Sequence, residues 1–551
     1  MLFTPRPALL SLLLGATLAL TVQACTSDGV PDGGGDPSGF KSVSFPDDFE
    51  WGTAVAQWQV AGDARANGGE PIDSNWGRFL AIDKAKDGQR NPDGNGFMTG
   101  YEADLDLAAS LGLKAFRISL DWSRVEPSPG VYDDAEIAHF VGVLEAANAR
   151  GLKPVLTFWH WVVPAWVQNP DPATGYVDML ADDDGEIVTR FEAMVRYVLP
   201  SVAPHVDTYT TLNEPFSIIS AGYMAATFPP GRIFPDVPAA TRVGLNLIFM
   251  HAKAYDAIKE LDTVDADDDG VANFVGLTQT ANLFYTQTGS AQEELAKDSI
   301  GYVFNDWIMI ALLDGQLDVN LDGDALDIDT VPKAEGHYPD LENRLDFIGV
   351  QYYGPVVIRE EPLLAEFHPL YGYPMITVED YDATLPHNGM GRQISAAGFA
   401  DTIDHYAQWN IPILLTENGT TTNGLPVEDD AGTLTDLPRS EDQAAMYLME
   451  HLWEVGRAIE RGVDIRAYYH WTLADNFEWV EGARQRFGAY TVDFDDVDRP
   501  RTLTKMGDAL RDVVEKNGID EELWQTYVLE RYPSDTREEG GLTTREPVYE
   551  E

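Results

Sequence analysis

The sequence predicts an α/β fold, a closed parallel (β/α)8 barrel with long loop insertions, and three observations carry that prediction. From about residue 45 onward, short apolar runs alternate with longer stretches of helical period. Eight such runs can be picked out, the number a TIM barrel needs. Polar and aromatic side chains gather at the C-terminal ends of several runs, where such a barrel places its chemistry. The rival, a doubly wound open sheet, would carry a Gly-rich phosphate loop after its first strand, and none follows here.

The predicted strands are 49–55, 115–120, 154–159, 208–212, 274–278, 347–350, 413–416 and 465–470. Between them, apolar residues three and four apart predict helices over 137–149, 191–202, 243–258 and 443–461. The run ends read Gln57-Trp58-Gln59, Asp121-Trp122, His160-Trp161, Asn213-Glu214, Gln351-Tyr352-Tyr353, Glu417-Asn418 and Trp471. A barrel of this kind takes about 250 residues, so the chain of 551 carries long loops. Segments 67–96, 263–271, 314–343 and 359–391, rich in Asp, Gly or Pro, are expected to supply them.

The N-terminus reads differently. Arg6, an apolar stretch over 8–20 and Val22-Gln23-Ala24-Cys25 have the basic, apolar and small-residue order of a secretory signal, too short for a membrane span. A cysteine just past a small residue resembles a bacterial lipoprotein signal, with Cys25 as the lipidated first residue, although Gln23 departs from that pattern and Cys25 as an incidental thiol of a secreted protein is the plainer alternative. The expected organisation is a signal peptide over 1–24, a flexible lipoprotein-type linker over 25–44, the catalytic barrel over 45–520, and a C-terminal extension over 521–551 ending in a loose tail. An exported protein, lipid-anchored on the periplasmic or surface side of a bacterial envelope, follows from that reading. Cys25 is the single cysteine, which excludes an internal disulfide framework. Lys plus Arg number 37 against 91 Asp plus Glu, a net charge of −54, which repels nucleic acid and leaves a lipid anchor as the one expected link to a membrane.

Two carboxylates close apolar runs and each has an amide neighbour: Glu214 in TTLNEP and Glu417 in LLTENG. On the same rim of a barrel, a pair of carboxyl groups about 5 to 5.5 Å apart can cleave an acetal with retention of configuration. One donates a proton to the leaving oxygen while the other attacks the anomeric carbon, and the charge of the second raises the pKa of the first.

The motifs FEWGTAVAQWQ, GLKAFRISLDWSR, LTFWHW, TTLNEP, DFIGVQYYG, LLTENG, WTLADNFEW and RFG occur in an order that resembles glycoside hydrolase family 1, the β-glucosidase family, from about residue 49 to 514. That resemblance implies Glu214 as general acid and base, Glu417 as nucleophile, and Asn213 on the sugar 2-hydroxyl. It implies Arg117 and Tyr353 as hydrogen-bonding partners that orient the nucleophile, Tyr353 also lining the substrate site. Gln59, His160, Glu478 and Trp479 match the set binding the sugar hydroxyls, with Trp471 as a stacking floor and Trp122 on the same wall. Taken singly, His160 reads more readily as a hydrogen-bonded core histidine than as a ligand, and Trp471 and Trp479 could be core fillers. An anionic Glu478 would repel a phosphorylated sugar. The chain departs from the family pattern at Tyr209, Gln351, Ala61 and Asp121, changes expected to touch the nucleophile's surroundings and the outer shell of the site. Gln351 must fit a longer amide close to Glu417.

Two acidic loops, Asp265, Asp267 and Asp269 before Gly270, and Asp318, Asn320 and Asp322 before Gly323, place oxygen ligands at alternate positions as a calcium loop begins. A structural calcium, set against plain solvated acidic turns, is the expectation there, with no cofactor in catalysis. The expected function is a retaining β-glycosidase, most directly a β-glucosidase, acting on β-glycosides or oligosaccharides. A transglycosidase and a barrel that binds carbohydrate without turnover are the alternatives.

Overall fold

Eight strands of five to seven residues close into a parallel barrel: β1 (Glu50–Val55), β2 (Ala115–Ser119), β3 (Lys153–Trp159), β4 (Thr208–Asn213), β5 (Phe274–Thr280), β6 (Phe347–Tyr352), β7 (Ile413–Asn418) and β8 (Ile465–Trp471). Each pairs with its neighbours in sequence, and β8 returns to β1. The protein is described from a computed structural model covering residues 40–82, 84–232, 237–319, 335–360, 376–379, 387–423, 426–428, 434–436 and 440–529. The described residues from 42 onward form one compact unit; of the other unit, 1–41, only 40 and 41 are described, so the signal and Cys25 lie outside the described residues.

The strands are unbroken apolar runs because helices cover the outer face of a parallel sheet while the barrel interior covers the other. Those helices are α1 (Phe97–Ser110), α2 (Asp134–Asn148), α3 (Glu186–Val202), α4 (Val237–Leu261), α5 (Trp307–Asp314), α6 (Ala396–Ala407), α7 (Glu441–Glu460) and α8 (Lys505–Lys516). Side-chain caps start several of them: Asp133 accepts from the amides of Ala135 and Glu136, Ser395 from Gly398, Ser440 from Gln443, and Thr504 from Gly507. Among the described residues no helix is long and apolar enough to cross a membrane.

Three pairings slip near the C-terminal ends of the strands, between Thr210 and Asn213 (β4/β5), between Val350 and Gln351 (β6/β7), and between Leu415 and Asn418 (β7/β8). Such irregularities re-aim side chains, and these flank Asn213, Gln351 and Glu417.

Some expectations need correction. The linker does not reach residue 44: Val43 and Ser44 already pair with Ile519 and Gly518, and Val43 is buried. Segment 67–96 is not all loop; Ser74 caps a helix, Asn75–Ala81, because its face carries Trp76, Phe79 and Leu80 into the interior. The start of the C-terminal extension, which is not expected to be loose, is packed, with Trp524 5.8 Å from Trp453 and Tyr527 donating to Asp512 at 2.7 Å. The tail from residue 530 lies outside the described residues.

Candidate active site

Asn213 ends β4 and Glu214 follows it in a left-handed conformation (φ 43°, ψ 65°) that few non-glycine residues adopt. Its amide donates to the Thr278 carbonyl at 2.8 Å, and Pro215 starts the next helical turn. Trp161 (φ 71°) and Trp479 (φ 49°) share the left-handed region. Backbone strain of this kind costs about 1–3 kcal/mol per residue and gathers at functional sites.

Glu417 lies in β7, one residue before its end. The Arg117 guanidinium, reaching across from β2, donates through Nη1 to Glu417 Oε1 at 2.5 Å and through Nη2 to Asn213 Oδ1 at 2.6 Å. Tyr353 Oη donates to Glu417 Oε2 at 2.7 Å. Gly419, two residues on, is obligatory, since a Cβ there would strike the Trp471 carbonyl. Arg117, Glu417 and Glu214 are all buried.

The two carboxyls have unlike surroundings. Burial and then the Glu417 charge push Glu214 up to about 7, opposed by the Ser217 hydroxyl, which donates to it at 2.6 Å. Burial raises Glu417 as well, but Arg117, Tyr353 and Gln351 all favour its ionised form. The first proton to leave the pair is therefore that of Glu417.

Around them stand the other expected residues. Asn213 Nδ2 lies 3.1 Å from His160 Nε2, and burial with the Arg117 charge holds His160 well below its usual pKa, so it is neutral and its Nδ1, left without a partner, is a donor. Gln59 Nε2 donates to Glu478 Oε2 at 3.2 Å and to the Phe477 carbonyl at 3.1 Å, while its buried Oε1 has no partner. Trp479 stacks on Trp58 with centroids 5.6 Å apart and planes 6° from parallel. Trp471 lies 6.1 Å from the His160 ring. The cluster thus offers flat apolar faces beside unsatisfied hydrogen-bonding edges, the combination a sugar ring requires.

Two expectations fail here. Trp122 is fully buried between Trp166 and Phe191 and donates to Glu126 at 2.7 Å, so it is no wall of the pocket. Tyr209 does not touch the nucleophile's surroundings; its hydroxyl reaches Asp262, at the end of α4 outside the barrel, at 2.8 Å. Burial and the Glu417 charge push Glu478 up to about 8. Gln351 does fit, donating to Asn213 Oδ1 at 2.9 Å beside Glu417. Trp161, passed over in the sequence, donates to the Asn213 carbonyl at 2.9 Å and lies 4.7 Å from Trp479; its place beside His160 in LTFWHW is the signal that marks it.

The first acidic loop lies before β5, at the opposite end of the barrel. There Asp207, Asp265 and Asp267 bring carboxylate oxygens within 4.8 Å of one another, and Lys153 Nζ already sits 2.6 Å from Asp267. Asp269 accepts from the Val271 amide at 2.8 Å. In the second loop Asp318 accepts from Tyr302 at 2.7 Å, and Asn320 and Asp322 lie outside the described residues.

The model of Glycosyl hydrolase family 1 matches residues 41–519. The chain belongs to that family. It is thereby a retaining β-glycoside hydrolase. Relatives include a beta-galactosidase of Pyrococcus woesei, 27% identical with 86% of this chain and 98% of that protein covered, and beta-glucosidase 14 of Arabidopsis thaliana, 30% identical with 84% and 91% covered. Among solved structures, the family 1 β-glucosidase from Thermotoga maritima superposes with a TM-score of 0.72 at 24% identity, covering 87% of this chain and all of that one. That likeness confirms the fold.

Proposed function

We propose that the protein removes terminal β-linked glucose by double displacement, with Glu417 as nucleophile and Glu214 as acid and base. The observation that carries this reading is the asymmetry of the two carboxyls: Glu417 is held by Arg117 at 2.5 Å and Tyr353 at 2.7 Å, while Glu214 is lifted to about 7 and accepts from the neutral Ser217 hydroxyl. In the first step Glu417 attacks the anomeric carbon as the glycosidic bond breaks, and the proton of Glu214 passes to the leaving oxygen. In the second, ionised Glu214 takes a proton from water, whose oxygen attacks the anomeric carbon and releases Glu417. Asn213, fixed by Arg117 and Gln351, serves the 2-hydroxyl, and the free Oε1 of Gln59 and Nδ1 of His160 serve hydroxyls deeper in the pocket. Relatives named as β-glucosidases, and a Thermotoga maritima β-glucosidase solved with glucoimidazole, support glucose at this position, although relatives named as β-galactosidases lie within the same range of identity.

A panel of aryl β-glucoside, galactoside, fucoside, mannoside and xyloside, with the first-formed anomer read by NMR, tests the reading. Fastest turnover of the glucoside with a β-product is expected; an α-product or no turnover overturns it, and an added acceptor alcohol measures transfer against hydrolysis. We also propose lipidation at Cys25 with export to the bacterial envelope, and a calcium ion held at Asp207, Asp265 and Asp267 that stabilises the fold without entering the chemistry. Labelled palmitate failing to follow the protein in a bacterial host would dispose of the anchor.

A further inference from the structure

We propose that Arg392 recognises a carboxylate on the leaving group, giving the enzyme a preference for β-glucosides with acidic aglycones; the proposal rests on the assignment of Glu214 as the acid. Arg392 is carried on a tight turn. The Oδ1 of buried Asn388 accepts from the amides of Met390 at 3.0 Å and Arg392 at 3.1 Å, and the Asn388 amide donates to the Arg392 carbonyl at 2.9 Å. The turn is tied to the loops after β7 and β8, since the Gly389 amide donates to Thr421 Oγ1 at 2.6 Å and Gln485 Nε2 donates to the Gly389 carbonyl at 3.1 Å. Its backbone is thereby fixed at the rim that carries the two carboxyls.

From there the guanidinium carbon lies 5.7 Å from the centroid of the Tyr353 ring, whose hydroxyl holds Glu417. Its position relative to the scissile bond follows from two contrasts. Gln59, His160, Trp471, Glu478 and Trp479, the sugar-binding wall, are all buried, whereas Arg392 is exposed. The Arg392 charge also reaches Glu214, the group that must face the departing oxygen. Arg392 thus stands where the leaving group meets solvent.

Among the described residues no carboxylate pairs with the Arg392 guanidinium, in a chain where 91 acidic residues face 37 basic ones and arginines such as Arg65, Arg78, Arg124 and Arg501 all do have one. A planar fork of N–H donors beside the reaction centre matches a carboxylate in geometry as well as in sign.

The test compares kcat/KM for 4-carboxyphenyl β-glucoside and its methyl ester in the wild type, R392Q and R392K. Intrinsic reactivity cancels when the acid-to-ester ratio of a variant is divided by that of the wild type. R392Q is expected to lower the ratio by about fivefold to tenfold, mainly through KM for the acid, with R392K keeping part of it. A ratio unchanged within about twofold overturns the proposal. A wild type that fails to turn over the ester overturns the β-glucosidase reading instead. Independently of any variant, 4-hydroxybenzoate should inhibit the wild type more strongly than its methyl ester; equal or weaker inhibition counts against Arg392 in the same way.

Discussion

Replacing Tyr353 with Phe removes one hydroxyl that donates to Glu417 Oε2 at 2.7 Å and leaves the ring against Phe487 in place. A hydrogen bond to a charged group contributes about 1.5–3 kcal/mol, and a pKa unit corresponds to about 1.36 kcal/mol, so the loss should raise Glu417 by about one to two units. The sign is fixed because the phenol stabilises the ionised carboxylate. On the proposed roles activity requires Glu417 ionised and Glu214 protonated, so the acid limb of the kcat/KM profile should move to higher pH while the alkaline limb, set near 7 by Glu214, stays. The bell narrows from one side, and its maximum falls about 10- to 100-fold as the nucleophile loses both orientation and population. The pH dependence of kcat/KM on an aryl β-glucoside, with Tm measured alongside, gives the answer. An unmoved acid limb with kcat/KM within about twofold of wild type would refute the claim that Tyr353 acts through Glu417.

Glu214→Gln should retain measurable turnover of aryl glycosides with strongly acidic phenols and lose alkyl glycosides, because a good leaving group needs little protonation; equal losses on both, read as kcat, would deny Glu214 the acid role. Glu454, buried in α7, is pushed up to about 7 chiefly by burial, so the folded state keeps its proton where the unfolded state loses it. That contribution is fully present below about pH 4.5 and is lost as pH rises through 7. Glu454→Gln should therefore be more stable than wild type at pH 8, by about 2 kcal/mol after discounting for relaxation, and equal to it at pH 4 in urea titrations. Excess chelator should lower Tm while leaving kcat unchanged if the aspartates at the far end of the barrel hold calcium; an unmoved Tm would remove the ion.

The barrel was legible because a parallel strand covered on both faces must be apolar along its length, and all eight runs coincide with strands. The runs end early in the sequence where polar residues continue the strand: Asn213, Tyr352, Asn418 and Trp471 are still paired, yet look like loop residues. Site residues at those strand ends could be located because the barrel brings them to one rim. Residues placed by tertiary packing could not. Trp122 and Trp161 both follow a strand, but one turns into a cluster with Phe191 and the other toward Trp479, a choice no periodicity records. Helix Asn75–Ala81 was hidden in a Gly- and Asp-rich stretch, although its Ser74 cap precedes an apolar face. Asp207 joins Asp265 and Asp267 only because the barrel folds their segments together, and Arg392 reaches the rim only through the turn built on Asn388.

The central claim is that Glu417 attacks the sugar. Glu417→Ala should abolish hydrolysis of an activated aryl β-glucoside, and azide should restore turnover to give the α-glucosyl azide, since the small anion enters from the face the carboxylate has vacated. Recovery of β-configured product, or no recovery from a variant that remains folded, would contradict the assignment.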